Sequence, residues 1–255
     1  MHLQSVSIIG ANGAMGAFFS NRLREAGLQV QGLDKPLDSQ ELHSSLPGCD
    51  LILLAIPAQA FETVLPRIQE YLDQNSVLAD ICSVKIKPLE LMLSYHQGPV
   101  VGTHPLFGPA PEPGTSLRTA LVQGRDKDAL HQTHDLMQDI DLEPFICGAK
   151  EHDRALAYIQ GLNFVSTVSY LAALTDEPGL ERFLTPSFRR RLDAARKMLT
   201  QDADLFQNLF EANPFSYEAV RQYRQFLNLA AAGELDLLQH KASWWWQEQN
   251  KGGGT

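Results

Sequence analysis

The sequence predicts an N-terminal α/β domain with a doubly wound parallel sheet over residues 1–148, followed by an all-helical domain over residues 149–255. Three observations carry this. Short apolar, β-branched runs alternate with helically spaced segments through the first half, as strands and crossover helices of a parallel sheet do. The first such run leads directly into a glycine-rich loop that opens a helix. Beyond residue 148 no strand-like run remains, and helical periodicity takes over.

The elements follow in order. Ser5–Ile9 reads as a strand, Ala14–Ala26 as a helix and Val30–Leu33 as a second strand. Leu51–Ile56 is apolar throughout, the pattern of a strand covered by helices on both faces. Phe61–Leu72 is amphipathic, Ser76–Asp80 strand-like and Lys87–Ser94 helical. Val100–Gly102, Ala120–Gln123 and Pro144–Ile146 complete the sheet. Helical spacing then runs through Glu151–Leu174 and breaks at Asp176, Pro178 and Gly179. It resumes over Leu180–Glu211, which Pro186 should kink or split, and over Tyr217–Ala232 and Leu235–Gln249. The glycine-rich end, Lys251–Thr255, should fray.

Composition narrows the function. Lys and Arg total 21 against 30 Asp and Glu, a net charge of −9, which argues against a nucleic-acid partner. Cys49, Cys82 and Cys147 are widely spaced and form no C-x-x-C pair, so neither a disulfide framework nor a zinc site is expected. His131 and His134 stand three apart on a surface helix without a third ligand nearby, so no metal is expected. No signal peptide and no apolar span of ~20 residues is visible, so the reading is a cytoplasmic protein outside the membrane.

The loop Gly10-Ala11-Asn12-Gly13-Ala14-Met15-Gly16 is G-x-x-G-x-x-G between a strand and a helix. Gly10 permits the tight turn, Gly13 lets backbone approach a pyrophosphate at the helix N-terminus, and Gly16 lets the helix pack close to the sheet. The spacing departs from G-x-G-x-x-G by one residue. Asp34 ends the second strand, where a carboxylate bonds ribose hydroxyls and repels a 2′-phosphate, favouring NAD over NADP. This is the fingerprint of a Rossmann-type domain. Pro57 stops the third strand and would expose backbone at Ile56-Pro57 to the same cofactor.

Gly102-Thr103-His104-Pro105-Leu106-Phe107-Gly108-Pro109 holds one titratable side chain, His104, on a proline-bounded segment after a strand. A histidine so placed can act as an acid–base group near neutral pH. From the residues alone, a lone histidine of this kind is more often structural.

The segment resembles the G-x-H-P-x-F-G-P motif of prephenate dehydrogenases. Asp80-Ile81-Cys82-Ser83-Val84-Lys85 is similar to that family's D-x-x-S-V-K. Glu151-His152-Asp153 with Tyr158-Ile159-Gln160 resembles the start of its helical domain, and Thr185-Pro186-Ser187-Phe188-Arg189 resembles its S-P-x-[YF]-R. The resemblance runs in order from about residue 5 to residue 246. It implies NAD-dependent oxidative decarboxylation of prephenate, a step of tyrosine and aromatic amino acid biosynthesis, on a small dianionic cyclohexadienyl substrate. It makes His104 the acceptor of the C4 hydroxyl proton, places Ser83 near that hydroxyl and the nicotinamide, and gives Arg189 a substrate carboxylate. No chorismate mutase segment precedes the first strand and no regulatory domain follows the helices, so a stand-alone dehydrogenase is expected. Family members bury apolar helical faces, such as Leu156, Ile159, Leu162, Phe164, Leu171 and Leu174 here, in a homodimer. Trp244, Trp245 and Trp246 are consecutive, so one helix face cannot bury all three, and one is expected at an interface.

One position departs from the family pattern. Phe164 stands where members often carry a histidine, in Gln160-Gly161-Leu162-Asn163-Phe164. The departure keeps an aminodeoxyprephenate dehydrogenase open as an alternative. A β-hydroxyacid dehydrogenase would need a lysine four residues before Asn163, where Ile159 stands. A non-enzymatic NAD-sensing module is the remaining reading, and it would not require His104, Ser83 and Arg189 together.

Overall fold

The computed structural model describes residues 3–174 and 178–247. The chain divides after Ala155 into two compact units.

The first unit is built on a seven-stranded sheet. The strands are β1 (Ser5–Ile9), β2 (Gln29–Leu33), β3 (Leu51–Leu54), β4 (Val77–Asp80), β5 (Val100–Pro105), β6 (Arg118–Arg125) and β7 (Glu143–Ile146), in the order β2-β1-β3-β4-β5-β6-β7. β1 to β5 are mutually parallel. β6 runs antiparallel to β5, and β7 is parallel to β6. The sheet is therefore mixed rather than wholly parallel. The cause lies in residues 106–117, which contain three prolines and two glycines and no helix. Parallel neighbours need a helical crossover, and this connection has none.

Helices α1 (Ala14–Glu25), α2 (Ser39–Ser45), α3 (Phe61–Ile68), α4 (Ile86–Tyr95) and α5 (Lys127–Asp139) cover the sheet, and α6 (Ala149–Leu156) ends the unit. The apolar run of β3 shows how both faces fill. Ile52 and Leu54 join one layer with Leu42, Phe61, Leu65 and Met92. Leu51 and Leu53 point oppositely and join Phe19, Leu23, Leu130 and Met137. Each such fully buried side chain stabilises by about 1.5–3 kcal/mol. The run ends at Leu54, two residues short of the sequence expectation. α2 has no apolar periodicity to announce it. Its signal is Asp38, which caps it by accepting the Gln40 N–H at 2.7 Å. The order in which strands are added reverses between β1 and β3, so a crevice opens at their carboxyl ends, where open α/β sheets bind ligands.

The second unit is helical throughout its described residues. A π-helical stretch (Ala157–Leu162) leads into α7 (Asn163–Ala172), and a short 3-10 turn (Leu180–Phe183) leads to α8 (Pro186–Thr200). Then come α9 (Ala203–Ala212), α10 (Ser216–Ala231), α11 (Leu235–Ala242) and α12 (Trp244–Gln247). Pro186 does not kink a helix; it starts α8, with Thr185 accepting the Phe188 N–H at 3.2 Å. The expected break at Asp176, the helix end at Gln249 and the tail Lys251–Thr255 lie outside the described residues. Among the described residues no helix is long and apolar enough to cross a membrane.

Candidate active site

Two clusters of predicted residues sit at the carboxyl edge of the first unit's sheet. The first is the glycine loop. Gly10 has φ +91°, and a Cβ there would lie 2.4 Å from the Ala55 carbonyl oxygen and 2.9 Å from an Ile56 methyl. Glycine at this position therefore lets the loop press against the end of β3, which brings Gly10 and Ile56 together. The loop is tied to β2 as well, since the Gly10 and Ala11 N–H groups donate to the Leu33 carbonyl at 2.8 and 3.2 Å. A Cβ on Gly16 would lie 2.1 Å from the Gly10 oxygen, so α1 can pack this closely only with glycine there.

α1 starts at Gly13 with no side-chain cap and no acid in its first turn. The amides of Ala14, Met15 and Gly16 thus have no partner within the helix, and their dipoles converge on an open approach. Asp34 is held beside them: one carboxylate oxygen accepts the Asn12 N–H at 2.8 Å, the other the Lys35 N–H at 2.9 Å. A cleft of about 330 Å³ adjoins this point, lined by Asn12, Ser20, Asn21, Arg24 and Asp34 among others. Uncapped amides, glycine-permitted approach and an oriented carboxylate fit a dinucleotide: amides for the pyrophosphate, Asp34 for ribose hydroxyls. Pro57 follows β3 and begins the 3-10 turn Ala58–Ala60.

The second cluster is buried at the ends of β4 and β5. These strands pair Asp80 with Gly102, which places the Ser83 loop beside the His104 segment. His104 is 2% exposed. Its Nδ1 lies 2.8 Å from Nε2 of His152, and His152 Nδ1 lies 2.7 Å from Asp153 Oδ1. Asp153 also accepts two backbone amides at the start of α4, Lys85 at 2.7 Å and Ile86 at 2.9 Å. Below them the Lys85 ammonium donates to Asp80 Oδ2 and to the Thr103 carbonyl, both at 2.5 Å, with both side chains of the ion pair fully buried. Asp80 further accepts the Cys82 N–H at 2.9 Å. One lysine therefore joins the end of β4, the end of β5 and the start of α4.

Burial pushes the His104 pKa well below the ordinary histidine value, and the neighbouring His152 and Lys85 act in the same direction. The imidazole is neutral at neutral pH and able to take a proton. Burial also raises the Cys82 thiol well above its usual value, Asp80 adding to the effect. Cys147 is pushed up to about 11, by burial and then by Glu151. Neither thiol is a thiolate nucleophile near neutral pH.

The remaining predicted residues lie in the second unit. Arg189 is exposed on the first turns of α8. Of the three consecutive arginines, Arg191 is engaged, its guanidinium 3.7 Å from the Tyr170 ring centroid. Phe164 stacks on Phe206 with centroids 5.8 Å apart.

Residues 20–133 match the family model for the nucleotide-binding domain of prephenate dehydrogenase, a stretch that holds Asp34, Ser83 and His104. The T-protein of Enterobacter agglomerans is 29% identical over 236 residues, covering 90% of this chain and 62% of the relative. The chain is thus similar to prephenate dehydrogenases in its nucleotide-binding region and to this T-protein over most of its length. The T-protein of Haemophilus influenzae is 28% identical over 211 residues, 81% of this chain and 56% of the relative. The chain spans roughly three fifths of the length of these two curated relatives. In fold it is similar to the prephenate dehydrogenase of A. aeolicus, crystallised with hydroxyphenyl propionate and NAD+. The TM-score is 0.77 at 18% identity, over 98% of this chain and 99% of that one.

His152 and Asp153 belong to the buried cluster although sequence reasoning gave them no role. The signal was their adjacency at the start of the helical segment. Their partners, His104 and Lys85, lie 48 and 68 residues away in sequence.

Proposed function

We infer that the protein catalyses NAD-dependent oxidative decarboxylation of prephenate. The observation that carries this is His104: a buried, neutral imidazole whose Nδ1 is engaged by His152, on a strand end of a dinucleotide-binding sheet. NAD+ when bound supplies the hydride acceptor. The α1 amides and Asp34 hold it, Asp34 selecting against a 2′-phosphate. His104 accepts the C4 hydroxyl proton as carbonyl character develops at that carbon. Ser83 orients the hydroxyl, and Arg189 binds a substrate carboxylate as a planar two-donor fork. Loss of the ring carboxylate as CO2 leaves an aromatic ring, which drives the step forward. The A. aeolicus enzyme's complex with NAD+ and a hydroxyphenyl ligand supports the same cofactor and a ring of this kind. Phe164 finds its partner in Phe206, so packing accounts for this residue and it does not by itself favour an amino-bearing substrate. A homodimer formed through the helical unit completes the proposal, supported by the apolar side chains that unit exposes.

The test is a panel of prephenate, arogenate and aminodeoxyprephenate with NAD+ or NADP+, following NADH absorbance and CO2 release. The expected result is highest kcat/KM with prephenate and NAD+. Asp34→Ala should narrow the preference for NAD+ over NADP+. Turnover of none of the three substrates would overturn the reading, and equal affinity for both cofactors in the unmutated protein would remove Asp34 from it.

A further inference from the structure

We propose that His152 and Asp153 are positioning residues that set the tautomer of His104, so that its Nε2 is the proton-accepting nitrogen. This rests on the reading of His104 as acceptor. Donor and acceptor bookkeeping along the chain carries it. Asp153 receives the Lys85 and Ile86 amides, which can only donate, at 2.7 and 2.9 Å. Each carboxylate oxygen thus already accepts one amide, Oδ1 from Lys85 and Oδ2 from Ile86. Oδ1 accepts from His152 as it does from Lys85, so His152 Nδ1 carries the hydrogen across the 2.7 Å contact. With its hydrogen on Nδ1, the His152 tautomer presents a lone pair on Nε2. The 2.8 Å contact with His104 needs one donor, so His104 Nδ1 carries a hydrogen. The lone pair of His104 is left on Nε2, for which the described residues offer no hydrogen-bond partner.

The polarity of the whole chain thus hangs on one proton. If Asp153 were protonated it could donate to His152 Nδ1. Every hydrogen in the chain would then reverse, and His104 Nε2 would become a donor, unable to take a proton. The two amides at the start of α4 oppose that reversal. During turnover the substrate O–H bond breaks and the His104 Nε2–H bond forms. The His104 Nδ1 hydrogen can then pass to His152 Nε2, which moves the positive charge to the imidazole beside Asp153. Protons balance at each transfer, and the electrons leave separately as hydride to NAD+.

The proposal is tested on ligand-free protein by nitrogen-15 NMR of labelled histidines, which reads the tautomer directly, alongside turnover with prephenate. The expected result in the unmutated protein is His104 protonated at Nδ1 alone. Asp153→Asn should scramble that pattern and lower kcat by ~10²–10⁴, the range seen when a histidine base adopts the wrong tautomer or is lost, with little change in KM. If Asp153→Asn does not fold, because it also caps α4, the pair His152→Gln and His152→Leu serves instead. Glutamine keeps an acceptor oxygen for His104 Nδ1–H and should retain far more kcat than leucine. A His104 protonated at Nε2 in the unmutated protein, or equal kcat for the glutamine and leucine variants, would overturn the proposal. Failure of the reaction reading shows separately, as absent turnover in an unmutated protein whose His104 tautomer is as proposed.

Discussion

The two units differ in what they bury. The first sandwiches its sheet between two apolar layers, and Leu106 and Ile146 are the large apolar side chains it leaves exposed among the described residues. The second buries few apolar residues, Leu156, Ala157, Ala195 and Ala219, most of them small. It exposes Phe183 at 74%, Trp246 at 67%, and Ile159 and Leu235 at 62% each. A unit with so little core of its own relies on surfaces being covered, whereas the first has the packing to hold buried polar groups without help. The buried polar cluster lies accordingly in the first unit. Away from water, an ion pair such as Asp80–Lys85 is tolerated only with close geometry and further hydrogen bonds, which the Cys82 amide and the Thr103 carbonyl supply.

That contrast can be broken by mutation. Phe61→Ala, at a fully buried position, should cost about 3–5 kcal/mol in denaturant unfolding, independent of protein concentration. Phe183→Ala should cost below ~0.5 kcal/mol as a monomer. If the helical unit pairs with a second copy, its unfolding midpoint should instead rise with protein concentration, as linkage to assembly requires. A concentration-independent midpoint for the helical unit would remove the dimer.

A smaller effect sharpens the comparison through pH. His104 and His96 both have pKa values lowered by burial in the folded first unit. Arg125 also lowers His96, while its bond to the Ser76 carbonyl opposes the shift. Below pH ~6.5 the unfolded chain therefore binds more protons than the folded one, so stability rises with pH there. The first unit should lose stability as pH falls from ~6.5 toward 5, and the His104→Asn variant should lose less over the same range. An identical pH dependence in the two proteins would mean that His104 is not held neutral by the fold.

Much of this was legible in the sequence, for reasons that also mark the limits. Leu51–Leu54 announced a buried strand because helices cover both its faces. The glycine loop was legible as a strand-to-helix turn because φ +91° at Gly10 and the Ala55 contact admit no side chain. The reversed direction of β6 was hidden in the strand itself, since Thr119–Val122 reads alike in either direction. It was readable from the proline-rich, helix-free connection before it. The roles of His152 and Asp153 were not legible, because a hydrogen-bond chain between residues 48 and 68 positions apart leaves no local pattern.

The most direct test is His104→Asn, with kcat for prephenate and NAD+ affinity measured side by side. Loss of the proton acceptor with the cofactor site intact predicts a fall in kcat of ~10²–10⁴ and an unchanged Kd for NAD+. An unchanged kcat in a folded, NAD+-binding variant would contradict the assignment of His104 and the mechanism built on it.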